Sequence, residues 1–355
     1  MRWDALRAGP PGEPSPAARA APMLFEQRAV TRTFDTPAFR GMTFFEVQAR
    51  SIINRVPDAA RVPFRWTINP YRGCSHSCLY CYARKSHTYL DLDSGHDFDS
   101  KIVVKVNAPD LVRKELAAPR WCGEHIAMGT NVDCYQRAEG RYRLMPGILA
   151  ALRDAANPFS ILTKGTLILR DLDLIGAAAD RTDVGLAVSV GCADTGLWRE
   201  LEPGTPSPQR RLEVCAAFTA AGLPCAVLMG PVVPFLSDSP ARLEDTVRQI
   251  AQAGATSVTP IVLHLRPGAR EWFFGWLGEA HPGLMPRYRA LYGRGAYAPA
   301  AYQQQVAEQV RALARKYGVG RGAPGGLRGR PRRFAPPAAR TAAPAAPEPQ
   351  QLTLL

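Results

Sequence analysis

The stretch from residue 71 to 82, YRGCSHSCLYCY, sets three of the eight cysteines, Cys74, Cys78 and Cys81, close together with gaps of three and two residues. In a loop, that spacing lets three thiolates converge on one small inorganic body, and iron–sulfur clusters and zinc are the usual occupants. An odd set of three cannot pair internally, and disulfides between such near neighbours would be strained. Zinc takes four ligands, so His76 or His87 would have to complete a Cys3His site. Zinc modules usually bring their ligands in two separated pairs, and no second CxxC or HxxxH pair follows downstream. Three thiolates without an obvious fourth ligand fit a 4Fe-4S cluster better, with one iron left open to a ligand that is not protein.

Such a loop needs a scaffold. FRWTIN (64–69) reads as a strand that delivers the cysteines at its C-terminal end. Beyond it, strand-like and helix-like segments alternate with short connections, the pattern of repeated β-loop-α units on a parallel sheet. The pattern predicts helices over 108–117, 144–155, 171–180, 208–221 and 241–253. Strands are predicted over 124–129, 159–163, 184–190, 224–232 and 257–263, giving six in all. Sites in α/β barrels lie at the C-terminal ends of the strands. Ahead of the barrel, Thr43-Phe44-Phe45-Glu46 has the form of a capping box and predicts a helix to about residue 55. After residue 263 the chain is aromatic and basic (Trp272, Phe273, Phe274, Trp276, Tyr288, Tyr292), a set that either builds core or stacks on bases. A further helix is predicted over 300–317.

NPYRGCSHSCLYCYARKSHTYL resembles the cluster loop of the radical S-adenosylmethionine (SAM) superfamily, whose pattern is CxxxCx(aromatic)C, with Tyr80 in the aromatic slot. The resemblance implies a 4Fe-4S cluster on Cys74, Cys78 and Cys81. It also implies SAM chelated at the open iron, and one-electron cleavage to methionine and a 5'-deoxyadenosyl radical that abstracts hydrogen from substrate. The fold it implies is an α/β, partial (β/α)6 TIM-like barrel, open enough to admit a large substrate. In MGTNVDCYQ (128–136), Thr130, Asn131 and Asp133 are the residues expected near the SAM amino group. Lys164 in ILTKG and Ser189 in LAVSVG are expected to meet the SAM carboxylate and ribose. NPYRGC, GTNxDxYQ, LTKG, RDLDL and LEPGTPSPQRRLE further resemble an actinobacterial-type group of radical SAM proteins related to spore photoproduct lyase, which reverses a thymine dimer in DNA. Position 134 departs from that motif, with Cys134 where proline is expected. As a thiol near SAM it is a candidate hydrogen donor to a product radical, against the plainer reading of a small neutral substitution. Cys122, Cys192, Cys215 and Cys225 read as buried apolar fillers.

The chain's 355 residues are 46% hydrophobic, ordinary for a globular protein with a sizeable core. Its apolar runs are too short to span a membrane, and the opening stretch has charges and prolines where a secretory signal needs an apolar run. Unevenly spaced cysteines without an export signal predict reduced thiols and a cytoplasmic location. The net charge of +13 favours a polyanionic partner, DNA or RNA, unless it is mere compositional bias. The expected organisation is a disordered tail over 1–22, a helical extension over 23–62, the radical SAM core over 63–265, a helical extension over 266–319 and a disordered basic tail over 320–355. That tail ends Gln351-Leu352-Thr353-Leu354-Leu355, which resembles the peptide by which bacterial repair proteins dock on the DNA sliding clamp, through Gln351, Leu352, Leu354 and Leu355. The function expected is radical SAM chemistry on nucleic acid, with DNA repair foremost and flavodoxin or ferredoxin as electron donor. RNA modification and a non-catalytic zinc-containing DNA-binding protein are the alternatives.

Overall fold

The computed structural model describes residues 29–60 and 62–320, so the expected tails, Gly320 apart, and the clamp-like peptide lie outside the described residues. The chain opens with strands β1 (Val30–Thr33), β2 (Thr43–Val47) and β3 (Ile53–Arg55), followed by β4 (Trp66–Ile68) and β5 (Tyr71–Arg72). Helix α1 (His96–Ser100) and strand β6 (Lys101–Lys105) come next. Strands β1, β2, β6 and β5 form one small sheet in that order. The helix predicted from residue 43 is therefore two strands, and the 23–62 segment is built on strands rather than helix. The reason lies in Phe44 and Phe45, which are both buried but on opposite faces. Phe44 enters the main core, while Phe45 packs with Val103 of β6. Successive residues point to opposite sides only on a strand. The supposed capping residue Glu46 instead accepts from Tyr142 Oη at 3.0 Å and pairs with Arg32 at 3.4 Å.

The larger sheet begins with β3, antiparallel to β4, and continues through β7 (Ile126–Met128), β8 (Phe159–Thr163), β9 (Val184–Ser189), β10 (Cys225–Val232) and β11 (Ser257–Val262). From β4 to β11 neighbouring strands are parallel and follow chain order. These are the six predicted strands, arranged as a partial (β/α)6 TIM-like barrel. Consecutive parallel neighbours require a crossover at every step. Between β6 and β9 the crossovers carry α2 (Ala108–Leu116), α3 (Arg137–Tyr142), α4 (Leu144–Asp154) and α5 (Leu172–Ala179). Helices α6 (Thr195–Leu201) and α7 (Pro208–Ala220) link β9 to β10, and α8 (Pro240–Gln252) links β10 to β11.

Helix α4 buries Leu144, Met145, Ile148, Leu149 and Leu152, a helical stripe whose members each contribute roughly 1.5–3 kcal/mol by burial. Helices α7 and α8 both start at a Ser-Pro pair. Ser207 and Ser239 accept from backbone amides of the first turn, and the prolines occupy a position where no amide is needed.

Beyond β11, α9 (Ala269–Ala280), α10 (Met285–Leu291) and α11 (Ala300–Lys316) cover one side of the barrel. Phe273, Tyr288 and Tyr292 are fully buried, and Phe274 and Trp276 pack against the same cluster. Those five of the downstream aromatics thus build core, and none of them is placed to stack on a base. Among the described residues, no helix is long and apolar enough to cross a membrane.

Candidate cluster and cofactor site

The cysteine loop leaves β4 at its C-terminal end and turns at Gly73, where φ is +78° and a Cβ would come within 2.9 Å of the Lys101 carbonyl oxygen. A second left-handed residue, Ser77, closes the turn between Cys74 and Cys78, with its amide donating to Cys74 O at 3.3 Å. Cys74 and Cys78 are buried, Cys81 is half-buried, and all three are free thiols. Burial pushes Cys74 well above its ordinary value, with Asp133, Cys81 and Cys78 adding to the rise. Burial likewise takes Cys78 up to about 12 and raises Cys81. Thiols that resist losing a proton to water surrender it to a metal, so binding releases protons.

Two buried polar side chains hold this loop. Gln136 accepts from Ser75 N at 3.0 Å and donates to Gly73 O at 2.9 Å. Arg84 donates to Cys78 O at 3.0 and 3.2 Å and to Gly95 O at 2.9 Å, pairs with Asp99 at 3.0 Å, and lies against Phe98 and Trp272. From the other side, the end of α6 is laced to the loop through Leu79 N to Leu201 O at 3.0 Å and Gly204 N to His76 O at 3.1 Å. Only glycine fits at 204, since a Cβ would lie 2.2 Å from Ser75 O.

At the mouth of the barrel the ends of β8 and β9 bring Lys164 and Ser189 together, with Lys164 Nζ donating to Ser189 Oγ at 2.9 Å. Ser189 Oγ passes a hydrogen bond to Gly230 O at 3.0 Å, at the end of β10. Tyr80 joins them through a residue that the spacing of the cysteines gave no reason to name. The Tyr80 hydroxyl donates to Glu202, which also binds Arg211, and Lys164 Nζ lies 4.0 Å from the same carboxylate. Burial pushes the Glu202 carboxyl up, but Arg211 and Lys164 outweigh it and hold the group below its ordinary range. Arg211 is itself buried, donating also to Ser189 O, Pro206 O and Thr205 Oγ1 at 2.7–2.9 Å. Lys164, by contrast, has one short hydrogen bond for three N–H groups. It is a cation with capacity left at the mouth.

The other predicted residues divide. Thr130 and Asn131 sit half-buried just past β7, and the Thr130 carbonyl accepts from the Tyr82 hydroxyl. Asp133 is turned inward. Its oxygens accept from Tyr135 N at 2.8 Å, Thr163 Oγ1 at 2.7 Å and Lys164 N at 2.6 Å, with His76 Nδ1 at 3.4 Å. Its lone-pair positions are thereby filled, so it organises the loops after β7 and β8 instead of facing an ammonium group. Cys134 has 0% exposure and belongs to the main core, beside Tyr71 and Cys74. Sealed in that core, Cys134 packs as the plainer reading of a small neutral substitution expects. Cys215 and Cys225 are buried as expected, whereas Cys122 is exposed.

RDLDL is a brace. Arg170 pairs with Glu139 at 2.6 Å and Asp171 at 2.8 Å, Tyr71 donates to Glu139 at 2.5 Å, and Tyr135 donates to Asp171 at 2.9 Å. Gln136, Arg84, Glu202 and Arg211 were the residues missed. Gln136, Glu202 and Arg211 lay in plain view inside the motifs GTNxDxYQ and LEPGTPSPQRRLE, but nothing local said which of their residues would face the loop.

The donor set suits a cluster rather than a lone ion. His76 and His87, the two candidates to complete a zinc site, each use one ring nitrogen on a protein oxygen. His76 is buried, which lowers its pKa to about 4, and contacts Asp133, while His87 Nε2 lies 2.9 Å from Lys101 O. Among the described residues no three His, Cys, Asp or Glu side chains are gathered tightly enough to hold one metal ion. Ser75 Oγ, buried inside the cysteine loop, has no partner, leaving a hydroxyl of the kind that donates to cluster sulfur.

A partial parallel barrel with three thiols beyond its first strand and a basic, hydroxyl-bearing mouth defines the class of cluster-bearing α/β-barrel enzymes. The family model described as radical SAM superfamily matches residues 68–258, more than half of the chain, and the protein belongs to that superfamily. Membership implies a 4Fe-4S cluster and SAM as cofactors. An uncharacterised protein of Mycobacterium tuberculosis is 50% identical over 317 residues, 89% of this chain and 93% of that one. An uncharacterised protein of Methanocaldococcus jannaschii is 30% identical over 195 residues, 54% of this chain and 69% of that one. Spore photoproduct lyase complexed with dinucleoside spore photoproduct shares the fold at a TM-score of 0.58 and 16% identity, over 78% of this chain and 80% of that one. A mutant of that lyase with bound AdoMet and the same dinucleoside gives 0.56 and 15%, over 74% and 77%.

Proposed function

We propose that this radical SAM enzyme acts on nucleic acid, and that its reaction is hydrogen abstraction from a damaged base in DNA. The loop that carries Cys74, Cys78 and Cys81, clamped beside the Lys164–Ser189 pair, carries the reading. Held by those thiolates, a 4Fe-4S cluster supplies the electron that cleaves SAM. The chain's own residues do the rest. Lys164 offers its unspent N–H groups to the SAM carboxylate, a charge-assisted contact. Ser189 fixes where that ammonium sits and faces the ribose. Tyr80 and Glu202 wall the same space, while Thr130 and Asn131 border it from β7 near the amino group. Gln136 and Arg84 hold the loop in one shape, and the packed barrel beneath keeps water out of it.

Three observations support a nucleic-acid substrate. The net charge is +13, the fold is that of a lyase whose solved complex holds a dinucleoside lesion, and the chain ends in a clamp-like peptide. In this reading Gln351, Leu352, Leu354 and Leu355, outside the described residues, tether the enzyme to the sliding clamp and raise its effective concentration at DNA. The enzyme works in the cytoplasm, with flavodoxin or ferredoxin as its electron donor.

Anaerobic reconstitution tests the first half. The intact protein should hold roughly four irons per chain, and Cys78→Ala should lose the cluster and its visible absorbance. Stoichiometric zinc with no SAM cleavage under dithionite would end the enzymatic reading. For the second half, 5'-deoxyadenosine formation should rise with ultraviolet-irradiated DNA over undamaged DNA. Equal yields with both, or a rise only with RNA, would refute DNA repair.

A further inference from the structure

The loops that follow the first and last parallel strands of the barrel meet at its open seam. Tyr82 comes directly after Cys81, and His264 and Arg266 come directly after β11. Their rings form a short ladder. Tyr82 and His264 have centroids 5.6 Å apart, and His264 stacks on Tyr297 at 5.6 Å with 25° between planes. Backbone pairing of His264 with Tyr297 sets the second step, backed by Leu265 N to Ala296 O at 2.7 Å. The Arg266 guanidinium lies 5.7 Å from the Tyr82 ring and 6.0 Å from Tyr297, and donates to Tyr297 Oη at 2.8 Å. Tyr297 is 53% exposed and Tyr82 36%. Tyr89 is 65% exposed on the segment that follows Tyr82. The core aromatics nearby are sealed, so these large rings stand in solvent beside the cluster loop.

We propose that Tyr82, His264 and Tyr297, with Arg266, form a stacking platform for an unpaired base of a polynucleotide strand. Flat exposed rings joined to a guanidinium suit a π-faced base carrying a phosphate, and base–aromatic stacking tolerates any sequence. The +13 charge favours a polyanion over a neutral aromatic ligand. The position of the platform explains why a base must leave the duplex. A stacked base cannot bring its reacting carbon to the loop, whereas one extruded against Tyr297 and Tyr82 lies beside Cys81. This inference rests on the nucleic-acid reading above and adds the place and the strand state.

The test uses the full-length, cluster-loaded protein and fluorescence anisotropy with a short oligothymidylate, an abasic strand of equal length, a duplex and an oligouridylate. The parent should bind oligothymidylate at least about fivefold more tightly than the abasic strand. Tyr297→Leu should weaken oligothymidylate binding about 5- to 100-fold and leave abasic binding within about twofold, whereas Tyr297→Phe should keep most of the affinity. Arg266→Leu should weaken both and lower the salt slope by about one ion. Unchanged circular dichroism and thermal unfolding exclude misfolding as the cause. Equal binding of base-bearing and abasic strands, or a Tyr297→Leu variant that binds like the parent, overturns the platform alone. A parent that binds none of the four ligands overturns the nucleic-acid reading itself. Comparing thymidylate with uridylate decides whether the strand is DNA or RNA.

Discussion

Two buried networks lie within the same barrel, and both are made of glutamate, arginine and tyrosine. Behind the cysteine loop, Glu139 is satisfied by Arg170, Tyr71 and the amides of Leu144 and Met145. Burial still leaves its carboxyl above the ordinary range. At the mouth, Glu202 is equally sealed but held below that range, because Arg211 and Lys164 both bear on it. In the first network Arg170 spends four hydrogen bonds on Glu139 and Asp171. The second includes Lys164, whose ammonium makes one short hydrogen bond, to Ser189, for its three N–H groups. Composition therefore does not separate a brace from a binding site. The difference is whether one member retains capacity facing the space where a ligand would lie.

That contrast can be broken at either end. Arg170→Met leaves Glu139 buried without its cation and should lower the unfolding free energy by about 3–5 kcal/mol in a urea titration. SAM affinity of the folded fraction should stay within about twofold by equilibrium dialysis. A large loss of SAM binding there would mean that the brace also serves the ligand. Lys164→Met should do the reverse, weakening SAM about 10- to 100-fold for the loss of a charge-assisted contact of roughly 1.5–3 kcal/mol. Its unfolding midpoint should barely move, because Arg211 still neutralises Glu202. Ser189→Ala is the mildest case. Removing one neutral hydrogen bond frees the Lys164 ammonium to wander and should weaken SAM about 2- to 10-fold, or roughly 0.5–1.5 kcal/mol. If Ser189→Ala proves as damaging as Lys164→Met, the hydroxyl contacts the ligand rather than setting the lysine.

Six strands and five helices of the barrel were legible because each is a local pattern of burial, with boundaries displaced by at most a few residues. The strand over Phe159–Thr163 is an example, an apolar run between turn residues that parallel neighbours cover on both sides. Residues 43–55 were misread because Thr-x-x-Glu before an apolar run is a helix signal only if no sheet edge is at hand. Here β6, more than fifty residues downstream, supplied one. Asp133 was singled out for the SAM amino group, and its direction was not readable. A loop aspartate that faces a ligand and one that ties two loops together have the same sequence.

The sequence alone determined that three thiols share one loop, because spacing over eight residues is a short-range property. It also determined the α/β alternation, because strand and helix periods are local. Only the tertiary structure decided which polar groups met. Tyr80 and Glu202 are 122 positions apart, and Gln136 reaches the cysteine loop across 61. It also decided which aromatic rings were left in water. Exposure is fixed by what packs on top of a residue, so Tyr288 and Tyr297, nine positions apart, ended as core and as surface.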